Sequence, residues 1–204
     1  MDKKTKITLA FVGTILRLMT GQAAASGTDD AFMPTAGHTS QPIGHYEFCQ
    51  SHAGECSVKS SGSSRVRLTP QLWNELVVVN AAVNLSVTPA TDEEIYGRPE
   101  FWAYPGTKGD CEDMVLLKRR DLIEKGWPIG ALLITVVRQK NGEGHAVLTV
   151  ETDRGDLVLD SLQPRVLVWS DTDYQYVKRQ SELNSGQWTA IDDARTNLVG
   201  SLTR

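Results

Sequence analysis

The order in which hydrophobic periodicities follow one another most constrains what this chain can fold into. Leu72, Leu76, Val79 and Val83 recur at helical spacing behind Thr69-Pro70, a capping residue followed by proline at the first helical position. This predicts a helix from Pro70 to about Leu85. A second helical stripe, Val115, Leu116, Leu122 and Ile123, follows Gly109 and stops at Gly126 and Pro128. Lys118, Arg119 and Arg120 are expected on its solvent side. The period then changes. Ala131 to Arg138, His145 to Glu151 and Leu157 to Asp160 read as strands, and Val166 to Trp169 and Gln175 to Lys178 extend the set. Helices first and an antiparallel sheet afterwards define an α+β class.

Within 204 residues this supports one domain with a real core. The formal charge of -4 and the lack of Lys/Arg runs give no field for nucleic acid. No internal repeat is visible, and oligomeric state leaves no mark on the sequence. Lys3, Lys4 and Lys6 precede an apolar run from Ile7 to Leu16, which is shorter than the ~20 residues of a membrane span. Ala23-Ala24-Ala25 follows as a small-residue cleavage site. Residues 1–25 therefore read as a signal peptide, residues 26–44 as a flexible leader, and residues 45–204 as the folded domain. The mature chain is expected in the periplasm or secreted, with no stable membrane span once the signal is cut.

Export changes how the three cysteines are read. Cys49 and Cys56 lie close together in a polar, turn-rich stretch, and a disulfide between them is the expected state in an oxidising compartment. Cys111 is then unpaired, and its neighbours Gly109, Asp110, Glu112 and Asp113 are not core residues. It stands at the first turn of a helix, where free N–H groups and partial positive charge favour a thiolate and an oxyanion. The flanking acids oppose this and must point away or be neutralised.

Among the four histidines, only His145 sits in a predicted core strand, just after the turn Asn141-Gly142-Glu143-Gly144. His38, His45 and His52 fall in the leader and the disulfide loop. Asp160 closes the next apolar strand and is the candidate to orient the imidazole. The pairing depends on hairpin register. If Glu151 faces Asp156, His145 is diagonal to Asp160, about 7–8 Å between backbones and within side-chain reach. If Arg154-Gly155 made the turn, Asp160 would face Thr149, about 13 Å from His145. The triad therefore requires the first register, which this reading assigns to a looser turn. The segment from Thr88 to Lys108 reads as a long loop folded over a groove, rich in Tyr96, Phe101, Trp102 and Tyr104. Trp73, Trp102, Tyr104 and Trp127 are candidates for groove walls.

At Asp92, Tyr96-Gly97, Trp102, Pro105, Gly109-Asp110-Cys111-Glu112-Asp113, Lys118, Leu122, Gly126, Gly144-His145-Ala146 and Leu159-Asp160 the chain resembles the bacterial transglutaminase-like cysteine proteinase family, over about Pro42 to Trp188. The resemblance implies a papain-like transglutaminase core with the nucleophile at a helix N-terminus packed on an antiparallel sheet. It implies Cys111, His145 and Asp160 as nucleophile, base and orienting acid of a cysteine peptidase acting on a protein or peptide. It also implies Ca²⁺ held by Asp110 and Glu112, and no organic cofactor. The best-described members cut surface adhesins in the periplasm. Met114 and Ser161 depart from the family pattern, where an aromatic residue and an asparagine are expected. Amine transfer from the acyl enzyme, as in a transglutaminase, is the alternative reading. A catalytically idle, calcium-responsive binding protein is the third.

Overall fold

The computed structural model describes residues 28–60 and 65–195. The expected signal peptide lies outside the described residues. In chain order the main elements are β1 (Thr35–Thr39), α1 (Ile43–Ser51), α2 (Ala53–Cys56), α3 (Pro70–Ser86), β2 (Thr88–Pro89), α4 (Asp92–Tyr96), β3 (Lys108–Gly109) and α5 (Cys111–Glu124). Strands β4 (Leu132–Arg138), β5 (Gly144–Thr152), β6 (Gly155–Leu159), β7 (Leu167–Val168), β8 (Gln175–Ser181) and β9 (Asn184–Ile191) complete it. Among the described residues, seven strands form one sheet in the order β1-β9-β8-β4-β5-β6-β7, and all its pairings are antiparallel.

Both central helices form for the reasons their sequence suggests. Thr69 caps α3, its hydroxyl accepting from Leu72 N at 3.2 Å, with Pro70 at the first helical position. Asp110 caps α5 by accepting from Asp113 N at 3.3 Å, so Cys111 is the first helical residue. Leu76 and Val79 of α3 and Val115, Leu116 and Leu122 of α5 pack on Leu132, Ile134, Ala146, Leu148, Val150, Leu157 and Leu159 of the sheet. The period of two sends the alternate residues to the opposite sheet face. There Val137, Val147 and Val158 meet Met33, Trp169 and Tyr176. With both faces covered, β4 reads as a near-continuous apolar run, and β5 is buried almost throughout even at its polar residues His145, Thr149, Glu151 and Thr152.

Four expectations are corrected by the fold. Part of the supposed flexible leader is ordered: residues 35–39 form an edge strand on β9, and α1 begins at Ile43. Its Met33 amide donates to the buried Asp156 Oδ2 at 2.8 Å, which ties the segment down. The Thr88–Lys108 stretch is not one long loop. It contains α4, closed by a reciprocal Thr91–Glu94 capping box, and the parallel pair β2–β3. Lys118 and Arg119 do not face solvent: both are buried, on the side of α5 that packs inward. Finally His45 belongs to the core rather than to a leader. Burial pushes its pKa down to about 4, the Arg119 charge adds to this, and Nδ1 accepts from Trp188 Nε1 at 3.2 Å.

Cys49 and Cys56 are joined by a disulfide that clips α2 to α1. Close by, Gly44 lies against Trp102, whose indole N–H donates to Glu100 Oε1 at 2.8 Å. A Cβ at position 44 would overlap the indole and stand 2.6 Å from that carboxylate oxygen. Gly44→Ala is therefore expected to lower stability by about 1–3 kcal/mol, as overpacking does. A urea unfolding midpoint equal to wild type would contradict this packing.

Candidate active site

The β5–β6 hairpin sets the site. Glu151 faces Asp156 and Leu148 faces Leu159, the register that puts His145 diagonal to Asp160. The turn that produces it is tight, not loose: Thr152 pairs with Gly155 across Asp153-Arg154. Gly155 has φ +121°, and a Cβ there would meet the Ala31 carbonyl oxygen at 2.8 Å, so glycine is needed at the turn's exit. His145 Nε2 and Asp160 Oδ1 are 2.7 Å apart, and both side chains are buried. Asp160 Oδ1 also accepts from Leu162 N at 2.9 Å, and Oδ2 accepts from the Tyr174 hydroxyl at 2.6 Å. Burial works to raise the Asp160 pKa. The hydrogen bond and charge of His145, with the Tyr174 and Leu162 donors, outweigh it and hold the carboxyl below its ordinary value.

Cys111 and His145 line the same cleft of about 370 Å³, with Pro89, Ala90, Met114 and Leu162 as its apolar walls. With Nε2 of His145 facing Asp160, Nδ1 is the ring nitrogen left for the cleft. The thiol is half-buried and free of any disulfide. It donates to Glu112 Oε2 at 2.8 Å. Burial pushes its pKa up, the Glu112 carboxylate pushes it further, and the Ala146 backbone amide acts in the opposite direction. As the site stands, burial first and the acid flank second favour the protonated thiol.

The acids divide between two tasks. Asp110, Asp113 and Asp92 bring one carboxylate oxygen each within 4.8 Å of one another. Glu112 faces the thiol, and Asp92 and Asp113 stand beside Asp110. Asp113 accepts from Ala103 N at 2.8 Å, and Asp92 accepts from Phe101 N. Even so, Asp113 Oδ2 and Asp92 Oδ1 are buried without a hydrogen-bond partner among the described residues. Burial raises the Asp110 pKa to about 8, and the Glu112, Asp113 and Asp92 charges add to it. Burial likewise raises Asp113 to about 7. Acid crowding with orphaned oxygens suits a hard cation such as Ca²⁺.

Two residues near the site were not among the site candidates that the sequence offered. Tyr174 lies far along the chain from Cys111 and reaches Asp160 only through the β7–β8 connection. Lys118 is fully buried, with its Nζ lacking a hydrogen-bond partner among the described residues. Its place at i+7 from Cys111 on α5 was the available hint. Of the proposed groove walls, Trp102 and Trp127 are buried in the core, Tyr104 packs against it, and Trp73 is exposed.

A helix-start cysteine and a strand histidine lining one cleft, on an antiparallel sheet backed by helices, is the arrangement of the transglutaminase-like cysteine enzymes. Residues 35–196 match the family model for the bacterial transglutaminase-like cysteine proteinases, and the chain belongs to that family. It is similar to the calcium-bound structure of LapG from Legionella pneumophila, at 27% identity and TM-score 0.50, covering 61% of this chain and 71% of that one. Another LapG structure from the same organism matches at 27% identity and TM-score 0.48, covering 63% and 75%. No curated protein matches the sequence significantly. Family and fold together make this a cysteine-type peptidase with protein substrates. No helix among the described residues is long and apolar enough to cross a membrane.

Proposed function

We propose that this chain is an exported peptidase that cuts a surface or periplasmic protein through a Cys111–His145–Asp160 triad. The observation that carries this reading is the 2.7 Å contact between His145 and Asp160, in the register that leaves the imidazole in one cleft with Cys111. Cys111 Sγ attacks the scissile carbonyl carbon, and its proton passes to His145 Nδ1. Backbone amides at the start of α5 stabilise the oxyanion. His145 then donates that proton to the leaving amine, and a thioester remains on Cys111. Water attacks the thioester, His145 takes its proton, and the thiol departs as the acid is released. Asp160 holds Nε2 protonated, so that Nδ1 presents its lone pair to the thiol. The basic start, apolar run and Ala23-Ala24-Ala25 of the N-terminus, with the Cys49–Cys56 disulfide, support export.

Incubation with a denatured peptide library tests this reading. New N-termini that vanish in Cys111→Ala are expected. Capture of an added primary amine in place of water would establish acyl transfer instead. Absence of both products would favour a binding role.

Asp92, Asp110 and Asp113 are the residues that would hold Ca²⁺, with Glu112 adjacent; the similar LapG structure is calcium-bound. The ion would offset the carboxylate charge that opposes thiolate formation. Calcium at a hundredfold excess over Kd is expected to raise unfolding stability by about 2.7 kcal/mol, and Asp113→Asn to remove most of that gain. Identical melting curves with calcium and with a chelator would exclude a site here.

A further inference from the structure

We propose that Tyr174 is a positioning residue for the cysteine-peptidase reaction, locking the Asp160 carboxylate, and through it the tautomer of His145, from the side of a second cavity. The inference rests on the triad reading. Asp160 reaches His145 through Oδ1 alone, and Oδ1 also accepts from Leu162 N, two residues along its own chain. Those two bonds share one oxygen and leave the carboxylate plane free to turn about it. The third bond, from the Tyr174 hydroxyl to Oδ2 at 2.6 Å, removes that freedom. It is a donor to an anion, the stronger kind of hydrogen bond.

Tyr174 also lies where a guard is needed. Asp160 and Tyr174 line a separate cavity of about 380 Å³, which meets the catalytic cleft at Gln139 and Leu162. Its walls include Lys140, Arg165, Asp171 and Asp173, so it admits water and ions. The tyrosine ring packs against the imidazole with centroids 5.6 Å apart. The hydroxyl therefore occupies, with a fixed donor, the Oδ2 direction that cavity water would otherwise contest. A fixed donor needs no reorganisation when the imidazolium forms.

Tyr174→Phe keeps the ring on His145 and deletes only the donor. Two readouts follow on full-length protein: the rate of iodoacetamide alkylation at Cys111, and the ¹⁵N shifts of the His145 ring nitrogens. Wild type is expected to hold the Nε2–H tautomer. The variant is expected to show a mixture of tautomers and alkylation slower by about tenfold, from loss of one charge-assisted hydrogen bond. The thermal midpoint is expected to fall by a few degrees for either role, because a buried carboxylate oxygen loses its donor; a merely structural tyrosine would leave the tautomer and the alkylation rate intact. His145→Ala is the reference. If it alkylates as fast as wild type, the triad reading itself fails. If it is slow but Tyr174→Phe matches wild type in rate and tautomer, only the role of Tyr174 is overturned.

Discussion

Replacing His145 with alanine is expected to lower the rate of peptide cleavage by about 10²–10⁴-fold, the usual contribution of a positioned acid–base group. The imidazole has two tasks in the proposed cycle: it removes the proton from Cys111 and returns it to the leaving amine. The thiol's own hydrogen bond runs to the Glu112 carboxylate, which is a much weaker base than imidazole, and burial together with that carboxylate pushes the thiol pKa upward. Deleting the imidazole therefore leaves a protonated sulfur beside an acid. His145 is buried at the start of β5, so the control is His145→Gln, which retains volume and a polar tip but cannot shuttle a proton. Both variants should fold, as read by an unchanged urea slope, and both should lose turnover. A His145→Gln variant cleaving at wild-type rate would remove histidine from the mechanism.

Lys118→Met is expected to make the protein more stable at neutral pH, by about 1–4 kcal/mol. Lys118 is 0% exposed, and its Nζ has no hydrogen-bond partner among the described residues. Burial lowers its pKa from 10.5 to about 7, and the Asp160 charge only partly offsets this. The sign follows from linkage. Between about 7 and 10.5 the unfolded chain binds a proton at Lys118 that the folded chain does not, so wild-type stability rises with pH through that window. Methionine fills similar volume and has no such proton. Asp160 keeps its bonds to His145, Leu162 and Tyr174 in the variant, so the loss of the amine leaves no bare carboxylate. The stability advantage of Lys118→Met should be largest near pH 7 and shrink toward pH 10. Parallel stability curves for the two proteins would mean that Lys118 is solvated.

The sequence disclosed the parts of the fold governed by local rules. Thr69-Pro70 announced α3, and the Gly109-Asp110-Cys111 junction announced α5, because capping and periodicity are short-range. The His145–Asp160 pairing was legible as a condition on register, since alternation on a hairpin fixes which residues are diagonal. The turn type was misread: Asp153-Arg154 gives the required register in a tight turn, with Gly155 absorbing the positive φ. Long-range packing was not legible. β1 and β9 pair across nearly the whole chain, and their polar, half-exposed residues carry little strand signal. Lys118 and Arg119 were assigned to solvent because lysine and arginine seldom bury. Asp92 joined Asp110 and Asp113 only through the fold of the α4 segment, and Tyr174 reached Asp160 only through the β7–β8 connection.

The triad is tested most directly by alkylation of Cys111 with iodoacetamide near neutral pH, followed by peptide mass and compared between wild type and His145→Ala in the presence of calcium. Fast labelling of wild type that slows by about 10²-fold or more in His145→Ala is the predicted result, because thiolate formation depends on the imidazole. Equal rates in the two proteins would show that Cys111 and His145 are not an acid–base pair, and would contradict the proposed mechanism.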